Sequence, residues 1–182
     1  NEAGQEVPGS PLVILEAISE AEALVNLRQE RRKPVRIDVE LICIDESART
    51  LDHLQRVLEA RGYGAALREG NVQLVKGKFA DHCAAVVQRA HERSRLSGRA
   101  LFVLDQYGYK AVPMHCLRDI FASLKHAEVI LTFYIDSLLN YLSGENLAHF
   151  QRATGITARV QAAELDELKL SPRWRVHLQS SL

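Results

Sequence analysis

The 182 residues predict an α/β fold built on a parallel sheet, and three observations carry that expectation. Ala100-Leu101-Phe102-Val103-Leu104 runs apolar without interruption into Asp105, as a strand buried on both faces of a parallel sheet does. Three other short apolar segments alternate with amphipathic helical stretches, the pattern of βαβ units with right-handed crossovers. The strands also exit into polar residues that lead directly into helices, and open α/β sheets place their ligands at that edge.

The elements follow in order. Asn1 to Gly9 is polar and reads as a loop. Ser10-Pro11 supplies an N-cap and a proline at the first helical position. Leu12, Leu15, Ile18, Ala21, Val25 and Leu27 then recur at roughly helical spacing. Arg28, Arg31, Arg32 and Lys33 suit the negative end of that helix before Pro34 stops it. Ile37 to Ile44 reads as a strand, exiting into Asp45-Glu46-Ser47. A helix follows through Leu51, Leu54, Val57 and Leu58, with Gly62 placed to end it.

Val72 to Val75 is the second strand, running into Lys76-Gly77-Lys78-Phe79. A helix over about Asp81 to Arg95 is broken by Gly98 before the strand Leu101 to Leu104. Pro113 to Leu124 is the next helix, Glu128 to Phe133 the fourth strand, and Tyr134-Ile135-Asp136 leads into Leu138, Leu139 and Leu142. After Ser143-Gly144 only helical patterns remain, from Leu147 to Ala153 and from Val160 to Leu168, ahead of a basic-aromatic end at Arg173-Trp174-Arg175. We therefore expect an α/β domain over residues 1–143 and a helical appendage, or the start of a helical domain, over 144–182.

Composition excludes some classes of function. Lys plus Arg and Asp plus Glu balance at 23 each, so no global field directs the chain to nucleic acid or to a membrane. No apolar run approaches the ~18 residues of a membrane-spanning helix. Cys43, Cys83 and Cys116 are odd in number and widely spaced, and two lie in or beside apolar runs. That suits reduced, buried thiols in the cytoplasm better than a disulfide framework. The chain opens on Asn1 rather than Met, and we expect a fragment or trimmed product.

Three strand exits could carry chemistry. Asp45 ends a strand and heads a helix, where a carboxylate can accept from two ribose hydroxyls; a plain helix cap is the ordinary alternative. Gly77 permits close backbone approach and Phe79 could stack on a flat ring, against the commoner case of a core phenylalanine. Asp105-Gln106-Tyr107-Gly108 can hold a flat amine through its acid, its ring and the room left by glycine, or can be an exposed turn. No nucleophile elbow and no Walker loop occur. His82-Cys83 and His115-Cys116 could meet as a zinc site, although cysteines packed in helices beside exposed histidines are several times commoner, and we assign no metal.

Gly9-Ser10-Pro11-Leu12, Ile42-Cys43-Ile44-Asp45, Val75-Lys76-Gly77-Lys78-Phe79, Leu104-Asp105-Gln106-Tyr107-Gly108-Tyr109-Lys110 and Ile130-Leu131-Thr132-Phe133 fall in an order that resembles the three-Cys-motif partner proteins (TcmP). The resemblance covers roughly Gly9 to Leu142. It implies a Rossmann-like, methyltransferase-type sheet with flanking helices, S-adenosylmethionine as cofactor, and methyl transfer to an amino group, with nucleic acid as one acceptor. It puts Asp45 in the ribose-binding position, with Gly77 and Phe79 on the cofactor side. Asp105, Tyr107 and Gly108 fall in the catalytic position, similar to the Asp-Pro-Pro-Tyr of amino-methylating enzymes. A neighbouring three-Cys-motif protein is the implied partner.

The chain departs from the family pattern at three points. Lys78 stands where an acid is usual, and Gln106 replaces a proline that would stiffen the loop. The family's first strand and its glycine-rich Phe-Ala-Gly-x-Gly loop are not in the sequence. We therefore expect a sheet lacking its first, central strand, and weak or no cofactor binding by these residues. A non-catalytic scaffold for a partner protein or DNA is the second reading, and an inactive fragment of a mobile or phage-derived gene the third.

Overall fold

The computed structural model describes residues 8–28, 33–93, 99–106, 111–132, 142–155, 157, 159 and 161–181. It is a mixed α/β structure with short parallel strands. Two compact units are present, Asn1–Gly77 and Lys78–Leu182, and the expected boundary at residue 143 falls inside the second. No helix among the described residues is long and apolar enough to cross a membrane.

The first unit holds α1 (Ser10–Arg28), β1 (Leu41–Asp45), α2 (Ala48–Ala60), α3 (Gly64–Arg68) and β2 (Val72–Lys76). β1 and β2 pair in parallel, in a register running from Leu41 opposite Val72 to Asp45 opposite Lys76. Leu12 of α1, Leu58 of α2 and Val72 of β2 form the buried core, with Leu15, Leu41 and Leu54 packed against them. The expected stripe on α1 is only partly used: Leu12 is buried, whereas Leu27 is 83% exposed.

β1 begins four residues later than the alternation from Ile37 predicts. The backbone before it is already engaged by side chains of α1. Asn26 brackets Val35, its Oδ1 accepting the Val35 N–H at 2.6 Å while its Nδ2 donates to the Val35 carbonyl at 2.8 Å. Glu22 Oε2 accepts the Ile37 N–H at 2.9 Å. A segment hydrogen-bonded to a helix's side chains is not contributing those groups to a strand ladder. The five-residue α3 has too little periodicity to be read from sequence. It follows Gly62, whose φ of +90° turns the chain out of α2.

The second unit holds α4 (Phe79–Arg93), β3 (Ala100–Asp105), α5 (Met114–Ser123) and β4 (Ala127–Thr132). Helices α6 (Gly144–Thr154), α7 (Ala162–Leu168) and α8 (Trp174–Ser181) follow. β3 and β4 pair in parallel from Ala100 opposite Ala127 to Asp105 opposite Thr132. The core gathers Cys83 and Val87 from α4, Phe102 and Leu104 from β3, and Cys116 and Ile120 from α5. Each such aliphatic side chain contributes roughly 1.5–3 kcal/mol by its burial.

Burial on both faces of β3 was the expectation, and the structure corrects it. Phe102 and Leu104 are buried, but Leu101 and Val103 on the other face are 53% and 39% exposed. Both α4 and α5 pack on the Phe102/Leu104 face, so the strand alternates although its sequence does not.

From Ser143 onward the described elements are helices, as the change of pattern predicts. The Ser143 N–H donates to Asn146 Oδ1 at 2.7 Å in a reciprocal cap of α6, and Gly155 ends that helix at a left-handed φ of +70°. Parallel pairing is present in both units. The described strands form two two-stranded sheets, β1–β2 and β3–β4, rather than one continuous sheet. The expected helix through Leu138 and Leu139 lies outside the described residues.

Candidate functional site

At the carboxyl edge of the β1–β2 sheet, Asp45 and Lys76 are register partners and Gly77 is the next residue. The Gly77 N–H donates to the Asp45 carbonyl at 3.0 Å, which extends the ladder by one bond past the strands. Gly77 adopts φ +151°, a conformation that side chains disfavour, so its lack of a Cβ is used here. Asp45 is half-buried. Its Oδ1 accepts the Ser47 N–H at 2.7 Å, and Ser47 Oγ in turn accepts the Thr50 N–H at 3.2 Å. Carboxylate and hydroxyl together satisfy two of the N–H groups at the start of α2, those of Ser47 and Thr50. The bland role foreseen for Asp45 and Ser47 is therefore realised, and it engages one carboxylate oxygen.

A shallow groove of about 200 Å³ lies beside this edge, lined by Ala48, Leu51, Asp52, Gln55, Leu74 and Lys76. Small-molecule sites usually enclose roughly 300–1,000 Å³. The Asp45 carboxylate is not among the groove's walls. Lys78, at the position where an acid was of interest, is exposed.

In the second unit, Phe79 is the first residue of α4 and packs against the Cys83–Phe102–Ile120 core. Its ring is partly buried by that contact. Asp105 ends β3 and is exposed. Tyr107 and Gly108 lie outside the described residues. The sequence-predicted residues thus group as Asp45 with Gly77 in one unit, and Phe79 and Asp105 in the other.

One residue of the site was underestimated from sequence. Gln106 is 3% exposed, and its Oε1 accepts the Val112 N–H at 3.3 Å. The amide ties the foot of β3 to the residue just ahead of the Pro113 cap of α5. The available signal was a glutamine placed between an apolar strand and an aromatic-glycine turn, and spacing alone did not distinguish it from a solvent-exposed turn residue.

The His-Cys pairs meet through their cysteines. Cys83 Sγ contacts the Cys116 carbonyl at 3.9 Å, and His115 Nε2 lies 3.5 Å from Cys116 Sγ. Among the described residues, no three of His, Cys, Asp or Glu gather closely enough to hold a metal ion. Among those residues, too, no buried side-chain nitrogen or oxygen lacks a hydrogen-bond partner, so no orphaned polar group marks a ligand cavity in either core. Near the chain end, Lys169 Nζ and Arg175 Cζ stand 5.8 and 5.6 Å from the centroid of the Trp174 ring, within cation–π distance.

No family model matches the chain, and neither a curated protein nor a solved structure matches it.

Asp45 thus keeps one carboxylate oxygen outside the cap of α2, while Phe79 packs on the core of the other unit. No chemical step is derived through S-adenosylmethionine.

Proposed function

We propose that the chain carries the core of a cytoplasmic S-adenosylmethionine-dependent methyltransferase of the three-Cys-motif partner type, acting on an amino group of nucleic acid. The observation that supports it most is the placement of two acids at strand exits, Asp45 after β1 and Asp105 after β3, each at the carboxyl end of a parallel strand. Asp45 has a second carboxylate oxygen for a ribose hydroxyl. Asp105, exposed, is the acceptor for an amine N–H, and Tyr107 and Gly108 complete that side.

The division of parallel pairing into β1–β2 and β3–β4 supports the finer fold. Those are the two pairs left when the first strand of a methyltransferase-type sheet is removed from its middle. The glycine-rich loop that such a cofactor needs is not in these 182 residues. Calorimetry with S-adenosylmethionine on the complete gene product tests the proposal. Heat is expected from the wild type and is expected to vanish in Asp45→Ala while cooperative unfolding is kept. No heat, or heat indifferent to Asp45→Ala, would sink it.

A second reading, a non-catalytic scaffold for a partner protein or DNA, is favoured by two observations. Lys78 takes the place of the expected acid, and Trp174 sits among Lys169, Arg173 and Arg175. It requires co-purification with a neighbouring three-Cys-motif protein, or a salt-dependent nucleic-acid shift lost in Arg173→Ala/Arg175→Ala.

A further inference from the structure

Two of the three cysteines, far apart in sequence, are brought side by side. Cys83 lies in the second turn of α4, and Cys116 is the third residue of α5. They are 3% and 0% exposed and belong to the same core cluster. Cys83 Sγ donates to the backbone carbonyl of Cys116 itself at 3.9 Å, which brings the two cysteines into contact. A disulfide needs Cα atoms within about 7 Å and side chains that can turn toward each other, and the contact of the Cys83 thiol with the Cys116 backbone puts the pair in that neighbourhood.

We propose that Cys83 and Cys116 are a latent disulfide pair, closed by a small-molecule disulfide oxidant, and that the bond clamps α4 to the first turn of α5. The exchange proceeds in two steps. His115 Nε2, 3.5 Å from Cys116 Sγ, takes the Cys116 proton. The Cys116 thiolate attacks the oxidant, breaking its S–S bond, forming a mixed disulfide and releasing one small thiol. Cys83 then displaces the second small thiol and forms the Cys83–Cys116 bond. The two cysteine protons end on the two released thiols, and the two electrons lost by the cysteines reduce the oxidant.

The clamp acts at a sensitive place. Cys116 lies four residues after Val112, whose N–H is held by Gln106, and Val112 belongs to the same cluster as both cysteines. Closing the bond fixes the α5 end of the connection that leaves Asp105. Burial, with the neighbouring Cys116 thiol and Asp119, pushes the Cys83 thiol up to about 12. Exchange therefore waits for a transient opening of the first turn of α5, which makes it slow and dependent on sustained oxidant. Cys43, on β1 of the other unit, takes no part.

The test is incubation of the folded chain with oxidised glutathione, followed by non-reducing digestion and peptide mass mapping. The expected product is a peptide pair joined through Cys83 and Cys116, lost on treatment with dithiothreitol and retained in Cys43→Ser. Amide exchange over Val112 to Cys116 is expected to slow severalfold on oxidation. Because Cys83→Ala removes a core side chain, the mapping on wild-type protein decides the matter. Glutathione adducts without the cross-link, or a cross-link formed only in denaturant, overturn the proposal.

Discussion

Gln106 Oε1 accepts the N–H of Val112 at 3.3 Å, and both residues are buried. This bond links the residue that follows β3 to the residue just ahead of Pro113 at the start of α5. Gln106→Ala leaves the Val112 N–H buried without its acceptor, a loss of about 1–3 kcal/mol. Urea unfolding measures it, as a lower midpoint with an unchanged slope.

Two glycines are expected to respond in opposite directions to alanine. A Cβ on Gly144, at the start of α6, would meet the Ala162 carbonyl oxygen at 2.6 Å and force the approach to α7 apart. Gly144→Ala should cost about 1–3 kcal/mol as an overpacked contact. At Gly64, in α3, the nearest atom is the flexible Arg68 Nη1 at 3.4 Å. Gly64→Ala should therefore stabilise, by up to ~1 kcal/mol through helix propensity. Thermal unfolding of both variants beside the wild type checks the opposite signs.

Ser47 caps α2 by accepting the Thr50 N–H at 3.2 Å and is itself held by Asp45 at 2.7 Å. Ser47→Ala is expected to cost about 0.5–2 kcal/mol. Ser47→Asp, which keeps an acceptor at that position, should recover most of it. Chemical denaturation separates the two. Equal losses would show that the cap contributes little.

The thiols set an alkaline limit. Burial pushes Cys43 from the ordinary value of 9.0 up to about 11. The folded state then holds the thiol proton more tightly than the unfolded chain does, so this contribution is full below pH 9.0 and is lost as pH rises toward about 11. Unfolding midpoints should fall across that window, and Cys43→Ala should flatten the decline. Alkylation of the native protein at neutral pH should also be slow at Cys43 and Cys83, since both thiols are shifted upward.

Much of the local order was legible in the residues themselves. The four strands and most helices begin and end within a few residues of where apolar spacing, Pro11, Gly62 and Pro113 place them. These are short-range signals that each segment carries wherever it packs. The strand exits at Asp45, Gly77 and Asp105 were legible for the same reason, because an acid or glycine after an apolar run is a local pattern. The start of β1 was not, since the partners that hold Val35 and Ile37 are Asn26 and Glu22 on a preceding helix.

By itself, the sequence of Ala100 to Asp105 determined that a strand would form and where it would stop. Only the tertiary structure decided that Phe102 and Leu104 face a core while Leu101 and Val103 do not, because α4 and α5 both pack on one side. The same distinction governs Phe79, a ring that spacing left open to stacking and that packing assigns to the core, and Gln106, whose partner lies six residues on. It governs Cys83 and Cys116 as well, neighbours only because two helices cross there. Periodicity is carried by the chain, whereas the choice of which face is buried and which groups meet depends on partners remote in sequence.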